Sequence, residues 1–131
     1  MTTSPTGRYD ASVTAPAKLA DVTGPLFREL TLRVPENLGC LDGHFPDLPV
    51  VPGVVQIRWV IEAARPLLGG EAILERVEAL KFKKILQPGD VFRLRVEVSV
   101  SADALNFRLW NEERLFSSGR WLVGRRRSAP G

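Results

Sequence analysis

Apolar and polar side chains alternate along most of the second half of the chain, which is the pattern of half-buried β-strands. The clearest case is the segment 92–100, where every second residue from Phe92 to Val100 is apolar and those between are polar. Apolar segments of strand length, separated by turn residues, predict four more strands. These cover 26–34, 74–85, 105–109 and 115–123.

Residues 53–65 have helical spacing, and their apolar side chains fall on nearly all sides, which is typical of a buried helix. Pro66, followed by Gly69 and Gly70, is expected to end it. One strand precedes this helix and an antiparallel meander follows it. The order predicts an α+β fold in which a curled antiparallel sheet wraps around one central buried helix.

The chain has 131 residues, enough for one domain that buries its own core. Residues 1–23 are rich in Thr, Ser, Pro and Ala, so we expect a flexible N-terminal arm with at most one short extended stretch. The folded domain is predicted over 24–124. Residues 125–131 form a basic tail, which is either solvated or binds an acidic partner.

Composition is ordinary for a soluble globular protein, with 44% hydrophobic residues, 25% charged residues and a net charge of +3. No apolar run reaches the roughly 18 residues of a membrane span, and no secretory signal is recognisable, so we expect a cytoplasmic protein. No nucleic-acid motif, phosphate loop or metal-ligand cluster is present, and none of these partners is expected. Cys40 and His44 suggest a Cys–His nucleophile pair, but a buried, inert Cys40 is favoured.

The segment 43–54 reads GHFPDLPVVPGV and carries the most specific signal in the chain. It resembles the HFPxxPVxPGV active-site segment of the bacterial beta-hydroxyacyl-acyl-carrier-protein dehydratases. A second segment, FKKILQPGD at 82–90, resembles the FKRPVxPGD segment of the same family. The resemblance covers roughly residues 26–123 and implies the hotdog fold and a lyase that dehydrates 3-hydroxyacyl thioesters.

Dehydration of a 3-hydroxyacyl thioester needs a base for the C2 proton, an acid for the leaving hydroxyl and support for charge on the thioester oxygen. A neutral imidazole such as that of His44 can act as the base near neutral pH. Free N–H groups at a helix start, here opened by Pro52 and Gly53, suit a developing oxyanion. The resemblance implies the same roles: His44 as base and the Gly53 N–H on the thioester carbonyl. The alternative for His44 is a loop histidine that only packs or caps.

The residue five positions after the glycine departs from the family, which has Glu or Asp where this chain has Arg58. An arginine stays protonated and only donates hydrogen bonds. Three interpretations of this difference remain. Arg58 or Gln56 binds the hydroxyl while His44 handles the proton; Glu62, one turn or about 5.4 Å along, supplies the acid; or dehydration is lost and the domain is a thioesterase or a non-catalytic acyl-binding subunit. Glu62 is equally well explained as an ion-pair partner of Arg58 and Arg65.

The segment 54–59, VVQIRW, also resembles the divergent thioester dehydratases of aryl-polyene pigment pathways. The resemblance implies a substrate carried on the phosphopantetheine of an acyl carrier protein, with no other cofactor. Lys81, Lys83 and Lys84 either contact that carrier or are simply solvated. The acyl group is expected to contact Phe45, Pro52, Val54, Gln56, Trp59, Glu62 and Phe82.

A lone hotdog sheet leaves an edge strand unpaired, which favours pairing with a second chain. In the resembling family two chains form one continuous sheet. We therefore expect a homodimer or an assembly of dimers, with sites shared between His44 of one chain and Arg58 of the other.

Overall fold

Six β-strands and one α-helix make up the part of the chain that the computed structural model describes, residues 15–36, 50–69, 72–112 and 114–125. The helix α1 spans Gly53–Leu68. The strands are β1 (Ala17–Thr23), β2 (Phe27–Arg33), β3 (Ala72–Phe82), β4 (Val91–Val98), β5 (Ala104–Trp110) and β6 (Leu115–Arg125).

The strands form one antiparallel sheet in the order β1-β2-β4-β5-β6-β3. β3 follows α1 in the chain but pairs with β6 at the far edge, so the connection is a crossover and the predicted simple meander is wrong here. The crossover carries the chain across the sheet by way of α1. The predicted α+β fold, a curled sheet around one helix, is confirmed.

The core lies between α1 and one face of the sheet. Alternation in β4 places its apolar side chains on that face, and Phe92, Leu94, Val96 and Val98 are all buried. β5 and β6 continue the same face towards β3, where Gly119 lies directly beneath the Phe107 ring. A Cβ atom on Gly119 would stand 2.6 Å from that ring, so this site requires glycine.

α1 continues three residues beyond its predicted end, through Pro66 to Leu68, and stops before Gly69, whose φ is 80°. The prediction that Pro66 ends the helix is wrong: the helix continues for two residues past it, although a proline cannot donate the backbone hydrogen bond of that position. The helix is also not buried all round: Val54 is 70% exposed and Arg58 and Glu62 are exposed. α1 does not have the length and apolarity that crossing a membrane requires.

The short extended stretch allowed for in the predicted N-terminal arm is strand β1, Ala17–Thr23, which pairs with β2, so the sheet begins before residue 24. All seven residues of β1 are exposed, so the strand is held by backbone pairing and by ion pairs instead of a buried face. Asp21 forms these pairs with Arg28 at 2.9 Å and with Lys18 at 3.0 Å. At the other end, β6 extends through Arg125; residues 1–14 and 126–131 lie outside the described residues.

Candidate functional site

The predicted site residues that the structure describes lie in two neighbourhoods, each of which includes residues of α1. His44, Phe45 and Cys40 lie outside the described residues. We call the first neighbourhood the helix opening; it consists of Val51, Pro52, Gly53, Gln56 and Phe82. We call the second the groove; it consists of Lys18, Arg28, Leu30, Leu32, Arg58, Trp59, Glu62 and Ala63, together with Ala15 and Pro16.

The helix opening leaves two backbone donors available. α1 begins after Pro52 without a side-chain cap, and its first turn contains no acidic residue. The N–H groups of Val55 and Gln56 both donate to the Pro52 carbonyl oxygen, at 3.0 and 3.2 Å. Among the described residues, the N–H groups of Gly53 and Val54 have no acceptor. These donors lie at the positive end of the helix dipole, where an anion or a developing oxyanion is stabilised.

Phe82 covers Gly53 and brings the end of β3 to the start of α1. A Cβ atom on Gly53 would lie 2.9 Å from Cζ of Phe82, so the missing side chain makes room for this ring. The ring itself is 48% exposed. The two motifs at 43–54 and 82–90 therefore meet where the Phe82 ring lies against Gly53.

Gln56, predicted to contact the acyl group, is 4% exposed and lies in the core. Its Nε2 donates to the Val51 carbonyl oxygen at 3.2 Å, and the Val51 N–H donates to the Leu86 carbonyl oxygen at 2.7 Å. Its Oε1 is buried without a hydrogen-bond partner. Gln56 therefore connects the first turn of α1 to the segment that precedes it.

Arg58 and Glu62 border the groove, a depression of about 490 Å³ between α1 and strands β1 and β2. Arg58 lies five residues after Gly53, which is about 140° around the helix axis from it. Within one chain, these two predicted catalytic residues therefore project from different sides of α1. Glu62 bonds to Arg65 at 3.2 Å, in agreement with the predicted ion pair.

Trp59 forms part of the groove floor but belongs mainly to the core. It is 6% exposed and stacks on Phe92 with ring centroids 5.7 Å apart. Three large apolar residues were expected to contact the acyl group. Trp59 is buried in this way, Val54 is exposed on the outer face of α1 and Phe82 covers Gly53. Lys81, Lys83 and Lys84, beside the helix opening, are all exposed.

Arg28 is a groove residue that the sequence reasoning missed. Its Nη1 donates to the Ala63 carbonyl oxygen at 3.2 Å, which ties β2 to α1. Hydrogen bonds from Arg28, and then from Lys18, hold the pKa of the Asp21 carboxyl well below its usual range. One signal was available: continuing the alternation of Leu30, Leu32 and Val34 backwards puts Arg28 on the buried face.

Comparisons with known proteins agree with the geometry. The ApeI-like family model, described as ApeI dehydratase, matches residues 27–120. A 3-hydroxyacyl-(acyl-carrier-protein) dehydratase FabZ from Natranaerobius thermophilus is 38% identical over 74 residues, which is 51% of this chain and 52% of that protein. The FabZ of Lactiplantibacillus plantarum is 38% identical over 76 residues, 53% of this chain and 52% of that protein. The chain thus matches about half the length of these relatives.

Two solved structures have the same fold. The dehydratase heterocomplex ApeI:P from Xenorhabdus doucetiae contains a chain with a TM-score of 0.75 and 29% identity, covering 84% of this chain and 98% of that one. An uncharacterised protein from Erwinia carotovora subsp. atroseptica has a TM-score of 0.71 and 28% identity, covering 84% and 96%.

Proposed function

Because this chain belongs to the ApeI-like dehydratase family, we propose that it removes water from a 3-hydroxyacyl group carried by an acyl carrier protein and forms a 2-enoyl thioester. The FabZ relatives, named as dehydratases of such substrates, support the reaction type. The likeness to the ApeI:P heterocomplex and the VVQIRW segment at 54–59 support an acyl chain of aryl-polyene or fatty-acid-like biosynthesis.

The observation that carries this proposal is the helix opening. Removing a proton from C2 moves negative charge onto the thioester oxygen, and preorganised N–H donors at that oxygen lower the barrier. The Gly53 and Val54 N–H groups supply such donors at the positive end of α1, beside the half-exposed Phe82 ring. The ring provides an apolar wall for the acyl group next to the donors.

The proton follows a path through His44. Its neutral imidazole takes the proton from C2 and returns it to the C3 hydroxyl, which leaves as water while the C2–C3 double bond forms. The role of His44 rests on its position in the GHFPDLPVVPGV segment. In this proposal the phosphopantetheine arm of the carrier brings the substrate into the site, and the proton transfers need no further cofactor.

Arg58 orients the hydroxyl in this proposal. Its side chain is exposed and borders the groove, whereas the Gln56 amide lies inside the core. A guanidinium donates hydrogen bonds to the hydroxyl oxygen but does not give up a proton at neutral pH, so His44 performs both proton transfers. Glu62 is the less suitable acid because its carboxylate is paired with Arg65.

A second copy of the chain completes the site. β3 is an 11-residue edge strand with Ile73, Leu80 and Phe82 exposed, and the outer face of α1 exposes Val54. Pairing of β3 with its symmetry mate would extend the sheet and cover this apolar surface. Since Arg58 and Gly53 project from different sides of α1, Arg58 of one chain would meet His44 of the other. Light scattering at low micromolar concentration should give a dimer or a multiple of it; a stable monomer would contradict the shared site.

The direct test follows enoyl formation from 3-hydroxyacyl groups on a carrier protein, with short, long and aryl-capped chains. Wild type should turn over at least one of these classes, and His44→Ala should reduce kcat by about 10²- to 10⁴-fold, the usual contribution of a general base. If wild type converts none of the classes faster than His44→Ala does, the proposed reaction is wrong. Dialysis against a metal chelator should leave the rate unchanged.

Arg65 provides the matched control for Arg58, because both are exposed arginines of α1. Arg58→Gln should lower kcat by about tenfold or more, as expected for loss of a charged hydrogen bond to the reacting group. Arg65→Gln should leave kcat within about twofold. Equal effects of the two substitutions would show that Arg58 acts only through surface charge.

An acyl-binding subunit without turnover is the second candidate, and Arg58 in the place of the family's acid favours it. The structural neighbour from Xenorhabdus doucetiae is described as a heterocomplex, which suggests that a chain of this kind acts with a different partner. Carrier binding without turnover, and turnover restored by adding a homologous subunit, would support this candidate. Release of free thiol without enoyl formation would indicate a thioesterase.

A further inference from the structure

Gln56 is bonded on one side only, although its whole side chain is buried. The residue is 4% exposed, its Nε2 donates to the Val51 carbonyl oxygen at 3.2 Å and its Oε1 has no partner among the residues that the structure describes. A buried acceptor without a donor loses its hydrogen bonds to water on folding and receives nothing in return. Replacing Gln56 by Met, an unbranched apolar side chain of similar length, would remove this orphaned acceptor but leave the Val51 carbonyl oxygen without its donor. The two costs offset each other, so the amide adds little net stability.

The amide donor of Gln56 therefore serves something other than stability, and its single contact points to the segment that enters α1. Val51 is held from two directions, by Gln56 on its carbonyl oxygen and by the Leu86 carbonyl on its N–H. Pro52 follows directly, and its carbonyl accepts from the Val55 and Gln56 N–H groups. The orientation of the Gly53 N–H depends on the peptide planes on both sides of Pro52.

Pro52 lacks an N–H group and α1 has no side-chain cap at its start. The direction in which the chain enters the helix is thus determined by these few backbone contacts and by the Gln56 side chain. Donors that stabilise charge in a transition state must be aligned in advance, and small displacements reduce their effect greatly.

We propose that Gln56 is a positioning residue for the reaction: its amide holds the Val51 carbonyl so that the Gly53 N–H is aimed at the thioester oxygen. The inference rests on the proposed function and assigns Gln56 a role through the backbone, without contact with the substrate. It implies that activity falls while stability changes little when the amide is removed.

The test compares Gln56→Met with Ser117→Ala as a matched control. Ser117 is fully buried and its Oγ also lacks a partner, but its place is in strand β6 and it does not bond to the segment before α1. Gln56→Met should keep the midpoint of thermal unfolding close to that of wild type, lower kcat by about tenfold to a hundredfold and leave KM within about threefold. Ser117→Ala should keep or raise the midpoint with kcat within about twofold.

Amide hydrogen exchange gives a second readout that does not depend on the reaction. In Gln56→Met the hydrogen-bonded amides of Val51 and Val55 should exchange about tenfold faster, while those in the rest of α1 keep their wild-type rates. Unchanged exchange at Val51 and Val55, or unchanged kcat, overturns the inference. A parallel fall of unfolding midpoint and kcat also overturns it, because Gln56 would then be a stability residue. If wild type has no dehydratase activity but exchange changes as expected, the proposed function fails and the positioning contact stands.

Discussion

The helix opening and the groove lie on the same helix but differ in how they relate to the family pattern. At the opening, Gly53 and Phe82 belong to the two segments that match the dehydratase motifs, and they are in contact. In the groove, Arg58 replaces the expected acid and is exposed. The family motif is kept at the helix opening, where Gly53 and Phe82 pack closely. The sequence departs from the family at Arg58, which is exposed. The fold therefore supports the thioester-binding part of the proposal more directly than the hydroxyl-leaving part.

Part of the groove is tightly packed, because Trp59 on its floor belongs to the hydrophobic core. Trp59→Ala should lower the free energy of unfolding by about 3–5 kcal/mol, the usual cost of deleting a buried aromatic side chain. Its stacking on Phe92 adds to this loss. Chemical denaturation measures the change, with Val54→Ala, at a 70% exposed position on the same helix, as the control expected within about 0.5 kcal/mol. Similar costs for both variants would mean that the helix is not anchored through Trp59.

The stability that the Asp21–Arg28 ion pair gives to the rim of the groove depends on pH. Arg28, held at 17% exposure, binds the Asp21 carboxylate and lowers its pKa, so the pair stabilises the native state above the unfolded pKa near 3.8 and this is lost as the pH falls below it. Asp21→Asn should cost about 1–2 kcal/mol at pH 7 and progressively less towards pH 2–3. Urea unfolding of both proteins over that pH range gives the difference. A constant difference would exclude the carboxylate as its source.

The sequence predicted the strands that have one buried face and missed the strand that has none. β4 and β5 keep strict alternation because each second side chain enters the core, so period-two patterns locate them closely. β1 has seven exposed residues and therefore leaves no such pattern. Pro66 misled the prediction for α1, because a proline removes one backbone hydrogen bond of a helix without always ending the helix there.

For the candidate site, the sequence located individual residues but did not predict the contacts between them. The motif identified Gly53 directly, but its contact with Phe82 joins segments 29 residues apart and exists only after β3 has reached the far edge of the sheet. Gln56 was predicted to contact the substrate because it lies within the motif. Its burial and its bond to Val51 place its side chain in the core instead. Spacing along the chain locates such residues but does not give the direction of their side chains.

Contact between the two motifs can be measured at the helix opening. Gly53→Ala places a Cβ atom 2.9 Å from Phe82, and the higher helix propensity of Ala offsets part of the resulting strain. We expect a loss of about 1 kcal/mol in the free energy of unfolding, reduced in the double variant with Phe82→Leu. A double-mutant cycle by denaturation gives the coupling free energy. Additive effects would mean that the half-exposed ring moves aside freely.

The smallest effect is expected on the outer side of α1, where Glu62 and Arg65 pair at 3.2 Å with half or more of each side chain exposed. Arg65→Ala should change the free energy of unfolding by no more than about 0.5 kcal/mol, because solvent and salt screen such pairs and ordering two long side chains opposes the attraction. Denaturation in low salt and in about 0.5 M salt should bring the variant and wild type closer together as screening increases. A loss above about 1.5 kcal/mol that persists in salt would mean that this pair is shielded from solvent, for instance against a second chain, and the outer face of α1 would then belong with the packed region of the molecule.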